Sequence, residues 1–388
     1  MIASDLLWFL LPVAAAGGWL AARKNYSGNS SEFWDYSHHF HEELGQLLSE
    51  QEADQQLFDT FTHGERDAAE THIALGNLYR RRGEFDRAIR IHENIMQKQD
   101  LDDEVRAFAH LELASDFESA GLLDRTEDAY RELIRSGHKR AESYEGLIQL
   151  HERQQDWEKA VKVALECNSD TGNDVSQPVA HYYCEMAEIA IRVDDSADAQ
   201  RLLKQALQHW PGCARAHVQL AGMALKGESY REAITHFDKV EALEPALMPV
   251  IIEQRFEALK LAGDTGALKE FVVRIQSQRN AYSVIRTTRE VIAELVDESV
   301  ADRFFKDQIL KRPSLKGLRD WAHDQLALSK PGERDKVRII CNLLDQVMED
   351  KPTYRCRSCG FQGNVMHWRC PGCASWDSVS TIIGVEGE

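Results

Sequence analysis

Positive charge is what this chain lacks most: 46 Lys and Arg stand against 64 Asp and Glu, for a formal net charge of -18 and a pI near 5.3. A protein that tracks phosphate backbones needs clustered basic residues, so the composition argues against nucleic acid as a partner. The short signatures of catalysis are missing too. No glycine-rich phosphate loop and no nucleophile elbow occurs. No H-E-x-x-H occurs either, because Gly45, Met96 and Gln155 stand four residues beyond His41, His92 and His151. Cysteine is sparse outside one short stretch. Cys167, Cys184, Cys213 and Cys341 are scattered at helical positions, as buried small hydrophobes are, which fits a reducing compartment.

What the chain does have is a repeat. Ala69 to Asp100 reads as one helix-turn-helix unit: His72, Leu75, Gly76 and Tyr79 fall at the spacing W-x2-L-G-x2-Y, and Ala88 and His92 at A-x3-F, the tetratricopeptide pattern. Gly76 and Ala88 are small where the paired helices cross, Leu75, Tyr79, Phe85, Ile89 and Ile95 fill the space between them, and Gly83 ends the first helix. A 34-residue grid recurs at Ala199, Ala233, Ala267 and Ala301. Four residues beyond these stand Leu203, Phe237, Phe271 and Phe305, so each second helix puts a small and a large residue on one face. Two more units are set by Leu113, Phe117, Gly121, Thr126 and Tyr130 and by Tyr144, Leu147, Trp157 and Ala160. About seven units result. With 43% hydrophobic residues the chain can bury a continuous core, and the expected fold is all-α, a tetratricopeptide solenoid over residues 38–350. Its first pair, 38–61, is degenerate, and Pro313 to Met348 forms a two-helix cap. His38 and His41 share a face there without a third ligand, which favours a solvated pair over a metal site.

Before the array, Leu6 to Ala22 carries no charge and is followed by Arg23-Lys24. At about 1.5 Å per residue it covers roughly 25 Å, and Trp8 and Trp19 lie near its ends. Ala14 to Ala16 would suit a signal cleavage site, but the basic n-region is missing. We expect an uncleaved transmembrane anchor over residues 1–24 and a juxtamembrane linker over 25–37. Arg23 and Lys24 then hold the remainder in the cytoplasm.

The first helix of each unit is expected to line an inner groove. Glu112, Glu118, Glu142, Glu145, Glu152, Glu185 and Glu188 fall at inward positions, with Asn77, Arg80 and Arg81 as their equivalents in the first unit. Such a groove runs from a basic end to an acidic middle and suits a partner segment rich in Lys or Arg. The Lys and Asn clamp with which some tetratricopeptide proteins hold a terminal carboxylate is absent.

Residues 351–388 contain C-x2-C-x10-C-x2-C: Cys356, Cys359, Cys370 and Cys373. Four thiolates complete a tetrahedral sphere and leave no open position for substrate, so the ion is structural. Zinc suits the set, and iron of the rubredoxin type is the alternative. His367 is not needed as a ligand. Tyr354, Phe361, Trp368 and Trp376 exceed what so small a ribbon buries, so some of them should dock it onto the repeats.

The anchor, the units containing GNLYRRRGEFDRAIRIHEN, and the terminal YRCRSCGF and WRCPGCASW together resemble the lipopolysaccharide assembly protein B family over essentially the whole chain. The resemblance implies a non-enzymatic, single-pass inner-membrane protein of Gram-negative bacteria. It implies an adaptor through which a membrane-anchored AAA+ protease degrades the deacetylase of the lipid A pathway, so that lipopolysaccharide synthesis is regulated. It further implies restraint by a sulfatase-like inner-membrane regulator, contact with other lipopolysaccharide assembly proteins, and metal ligation by Cys356, Cys359, Cys370 and Cys373. An envelope assembly scaffold without a proteolytic role and an iron-ribbon redox carrier are the rival expectations. The first pair departs from the family pattern at Asp54 and His38-His39-Phe40-His41.

Overall fold

A computed structural model of the protein describes residues 66–98, 101–277, 281–349, 351–385 and 387. The expected anchor at 1–24, the linker at 25–37 and the degenerate pair at 38–61 lie outside these residues. Among the described residues no helix is long and apolar enough to cross a membrane.

Helices alternate with short turns in pairs: α1 (Arg66–Arg81) and α2 (Phe85–Gln97), α3 (Asp103–Ser119) and α4 (Leu123–Ser136), α5 (Arg140–Gln154) and α6 (Trp157–Thr171), α7 (Ser176–Arg192) and α8 (Ser196–His209). The pairs continue with α9 (Ala214–Lys226) and α10 (Tyr230–Leu243), α11 (Met248–Leu261) and α12 (Thr265–Ser277), α13 (Tyr282–Leu295) and α14 (Glu298–Lys311), α15 (Leu315–Leu328) and α16 (Arg334–Met348). A three-stranded antiparallel sheet follows, in the order β2 (Gln362–Gly363), β1 (Tyr354–Cys356), β3 (Val379–Thr381), with Tyr354 opposite both Gly363 and Thr381. The chain divides into two compact units between Ala129 and Tyr130, inside α4. The second unit therefore holds both the later repeats and the ribbon.

Local chemistry explains the turns. The first helix of a pair must stop abruptly, and one residue in the left-handed region does this at φ between +58° and +79°: Gly83, Gly121, Gln155, Asp194, Glu228 and Gly263. Glycine takes that conformation freely, whereas Gln155, Asp194 and Glu228 each hold it at roughly 1 kcal/mol. The second helix is then capped. Asp156 accepts from Lys159 N, Asp195 from Asp198 N, Asp264 from Ala267 N and Asp297 from Val300 N, at 2.9–3.2 Å.

The small-then-large pattern also holds. Ala199, Leu203, Ala233, Phe237, Phe271, Ala301 and Phe305 are buried. Ala267 is half-buried against the same core because α12 turns Leu268, Phe271, Val272 and Ile275 inward instead.

In the first unit His92 stands where the pattern expects Phe, and it is wholly buried. Its Nδ1 lies 2.5 Å from Asp116 Oδ2, and Arg80 donates to the other oxygen of that carboxylate at 2.8 Å. A buried imidazole is tolerated because a carboxylate from the following helix holds it. A Cβ on Gly76 would lie 2.5 Å from His92 Cε1. Gly76→Ala should accordingly push the ring off Asp116 and lower the first unit's stability by about 1–3 kcal/mol, read as earlier loss of amide protection in α1 to α3.

Candidate metal centre and its docking on the repeats

The ribbon brings two tight knuckles together. Cys356 and Cys359 flank one turn and Cys370 and Cys373 the other, and each turn closes on a left-handed residue, Gly360 (φ +78°) or Ala374 (φ +58°). Their amides bond back to Cys356 O and Cys370 O at 3.1 and 2.9 Å. Gly360 supplies the first bend without strain; Ala374 adopts the same bend with a Cβ. The knuckle amides also point at sulfur. Ser358 N and Gly372 N donate to Cys356 Sγ and Cys370 Sγ at 3.3 Å.

All four sulfur atoms lie within 4.8 Å of one another. Two edges of the set, Cys356 to Cys373 and Cys359 to Cys370, measure 3.7 Å. A metal–sulfur bond of about 2.3 Å in a tetrahedron requires an edge of roughly 3.8 Å, and a disulfide would require about 2.05 Å. The donor set thus fits one tetrahedral ion, held by four thiolates with no position left for a substrate. The hydroxyl of Ser378, 3.3 Å from Cys356 Sγ, and the amides of Cys359 and Ser358 draw that thiol down to about 5. His367 is not part of the set and lies edge-on to Phe361.

The ribbon is seated on the repeats by residues adjacent to its ligands. Trp376 stacks on His181 of α7 with ring centroids 4.7 Å apart and planes 8° from parallel, and meets Trp157 and Tyr182 edge-on. Its indole N–H donates to Glu152 of α5 at 3.2 Å. Tyr182 OH donates to the same carboxylate at 2.8 Å, and Arg369 completes the group at 2.6 Å. Three donors make a nearly buried carboxylate tolerable. Burial, reinforced by Glu152, lifts the Tyr182 hydroxyl well above the usual tyrosine range. Asp377 accepts from Gln177 and lies 2.8 Å from His181 Nε2. Trp368 and Met366 pack on the core of the later repeats, with the Arg215 guanidinium 5.8 Å from the Trp368 ring. Of the four expected docking aromatics, then, Trp368 and Trp376 face the repeats, while Tyr354 and Phe361 stay with the ribbon's own core.

This placement changes the reading of the expected groove. Glu152 serves the chain's own ribbon. Glu185 and Glu188 both receive Arg215, whose side chain is buried, at 2.8 Å. Arg80 is bridged to Glu112 and Asp116, so the basic end expected from Arg80 is compensated within the first unit. Arg81 is exposed and Asn77 and Glu118 are half-buried. Glu142 and Glu145 remain exposed, the first 3.6 Å from Lys139 and the second accepting from Gln149.

The tetratricopeptide pattern is defined by small and large apolar positions, so it leaves the buried arginines of the later units unmarked. A signal was available. Arg255 and Arg289 are one 34-residue period apart, as are Phe271 and Phe305, and each guanidinium lies over its ring at 4.1 and 4.9 Å. Arg255 is nearly buried and pairs with Asp238 and Glu241, and Arg289 pairs with Asp302 and Asp324.

Residues 354–380 match the model described as the rubredoxin metal binding domain, and residues 71–107 and 184–246 match tetratricopeptide repeat models. With the geometry above, these define a tetratricopeptide array carrying a four-cysteine metal-binding ribbon. Its likeness to lipopolysaccharide assembly protein B runs from end to end. The protein of that name from Escherichia coli strain K12 is 28% identical over 387 residues, covering 99% of this chain and 99% of that one. The one from Haemophilus influenzae strain Rd is 25% identical over 393 residues, covering 98% and 99%. Among solved structures, a tetratricopeptide repeat protein from Parabacteroides merdae overlaps at 14% identity with a TM-score of 0.32, over 71% of this chain and 98% of that one.

Proposed function

We propose that this protein is a non-catalytic adaptor that regulates lipopolysaccharide synthesis, held at the inner membrane by residues 1–24 with its repeats and ribbon in the cytoplasm. In this reading it delivers the deacetylase of the lipid A pathway to a membrane-anchored AAA+ protease. A sulfatase-like membrane regulator restrains it, and other lipopolysaccharide assembly proteins gather on it. The observation that carries the reading is the end-to-end likeness to two proteins named lipopolysaccharide assembly protein B. Tetratricopeptide hairpins support it, since they offer long binding faces. Holding substrate and protease on one tethered scaffold raises their effective concentration without new chemistry. We assign zinc to the ribbon, as a redox-silent ion whose work is to keep the docked segment folded.

The deciding experiment follows the half-life of the deacetylase in cells with the full chain, with the chain lacking residues 1–22, or with neither. A half-life that lengthens without the protein, and stays long without the anchor, is expected. An unchanged half-life in all three strains would discard the proteolytic role and leave an assembly scaffold. Metal analysis of the purified chain accompanies it: iron in place of zinc would favour a redox carrier.

A further inference from the structure

A cleft of about 330 Å³ lies where the ribbon meets the repeats, with Trp210, Trp368 and Trp376 among its walls. Its charged lining groups are Glu244, Asp377 and Arg357. The volume sits at the small end of ligand pockets, room for one long side chain and not for a cofactor. Two of the charged groups are already committed. Asp377 is engaged by His181 and Gln177, and the exposed Arg357 donates to the main-chain oxygen of Asp377 at 2.9 Å. Glu244 differs from both: half-buried at the C-cap of α10, its carboxylate has no hydrogen-bond or ion-pair partner among the described residues.

Three features then favour the same sign of charge. The C-terminal end of α10, where Leu243 and Glu244 line the cleft, presents the negative pole of a helix. Glu244 adds a full negative charge beside it. The faces of tryptophan rings attract cations, and a planar guanidinium both stacks on an indole and forms a paired bond to a carboxylate. Gly212 lets the chain pack closely on the Trp210 indole, since a Cβ there would lie 2.9 Å from Trp210 Nε1.

We propose that this cleft is a binding site for an arginine side chain presented by a partner protein, with Glu244 as its counter-ion and the indole of Trp210 as its stacking face. The proposal rests on the adaptor reading only in that a partner supplies the segment. It moves the contact for a basic partner from the internally paired acidic residues of the repeats to the one carboxylate in the cleft that the fold leaves unused.

The test is a tryptophan-fluorescence titration of the full chain in detergent with the peptide acetyl-Gly-Arg-Gly-amide, alongside its Glu counterpart. A saturable change with the Arg peptide, absent with the Glu peptide and about tenfold weaker in Glu244→Gln, is expected. Glu244 makes no side-chain bond among the described residues, so that variant should melt with the parent, and Trp210→Phe should weaken the affinity read from the remaining tryptophans. No saturable change, equal binding of the Glu peptide, or unaltered affinity in Glu244→Gln would overturn the proposal. Arg-peptide binding with an unchanged deacetylase half-life would remove the adaptor and keep the cleft; the opposite pair of results would remove only the cleft.

Discussion

Stripping the metal with a strong chelator, or replacing Cys356 by Ser, should unfold the ribbon and release it from the repeats. The ribbon's own buried core is only Cys356, Cys370 and Val379, with Tyr354, Phe361, Met366 and Cys373 packed against it. So small a core cannot offset the entropy of ordering the segment, and the ion supplies the difference, on the order of 10 kcal/mol. The repeats should keep their helices, since the buried residues of their cores all come from the hairpins themselves, with Met366 and Trp368 only packed against one of them. Three readouts should move together: bound metal falls to zero, Trp376 emission shifts to the red as its ring leaves His181, and amides of α5 and α7 exchange faster. Retained docking after complete metal loss would mean that the contacts with the repeats hold the ribbon unaided.

The second large effect comes from the other side of the same interface. Trp376→Ala should cost about 3 kcal/mol, the low end for a tryptophan truncation because the ring is only half-buried. Glu152→Ala should be comparable, since it strips the shared acceptor from Arg369, Trp376 Nε1 and Tyr182 OH. Ribbon folding, docking and metal binding are linked, so both losses should also appear as weaker metal retention, by about a hundredfold in a chelator competition. Glu145→Ala is the control. That carboxylate is exposed and, among the described residues, accepts only from Gln149, so metal retention should not change. Equal retention in Glu152→Ala and Glu145→Ala would show that the ribbon folds independently of its seat.

Much of this protein is legible in its sequence, for reasons that differ from part to part. The repeat period is visible because every hairpin must solve the same close-packing problem. Ala199, Ala233 and Ala301 with Leu203, Phe237 and Phe305 return at one spacing and are all buried. The metal ligands are visible because a tight knuckle fixes two cysteines three residues apart. The groove was legible only in part. The positions of Glu112, Glu152, Glu185 and Glu188 along their helices follow from periodicity, but their partners do not. Arg80, Arg369 and Arg215 reach them across 27 to 217 residues of chain. His92 is a similar case: its place in the pattern is apolar, and only Asp116, 24 residues on, makes an imidazole acceptable there.

Helical hairpins ending in a four-thiolate ribbon can be read from residue order alone, because periodicity and ligand spacing are local properties of the backbone. What the charges and aromatic rings are for depends instead on contacts made in space. Burial of a carboxylate is governed by which donors surround it in space. Glu152, Glu188 and Glu244 look alike in the chain. One holds the ribbon, one neutralises a buried arginine, and one faces a tryptophan-walled cleft with no partner among the described residues.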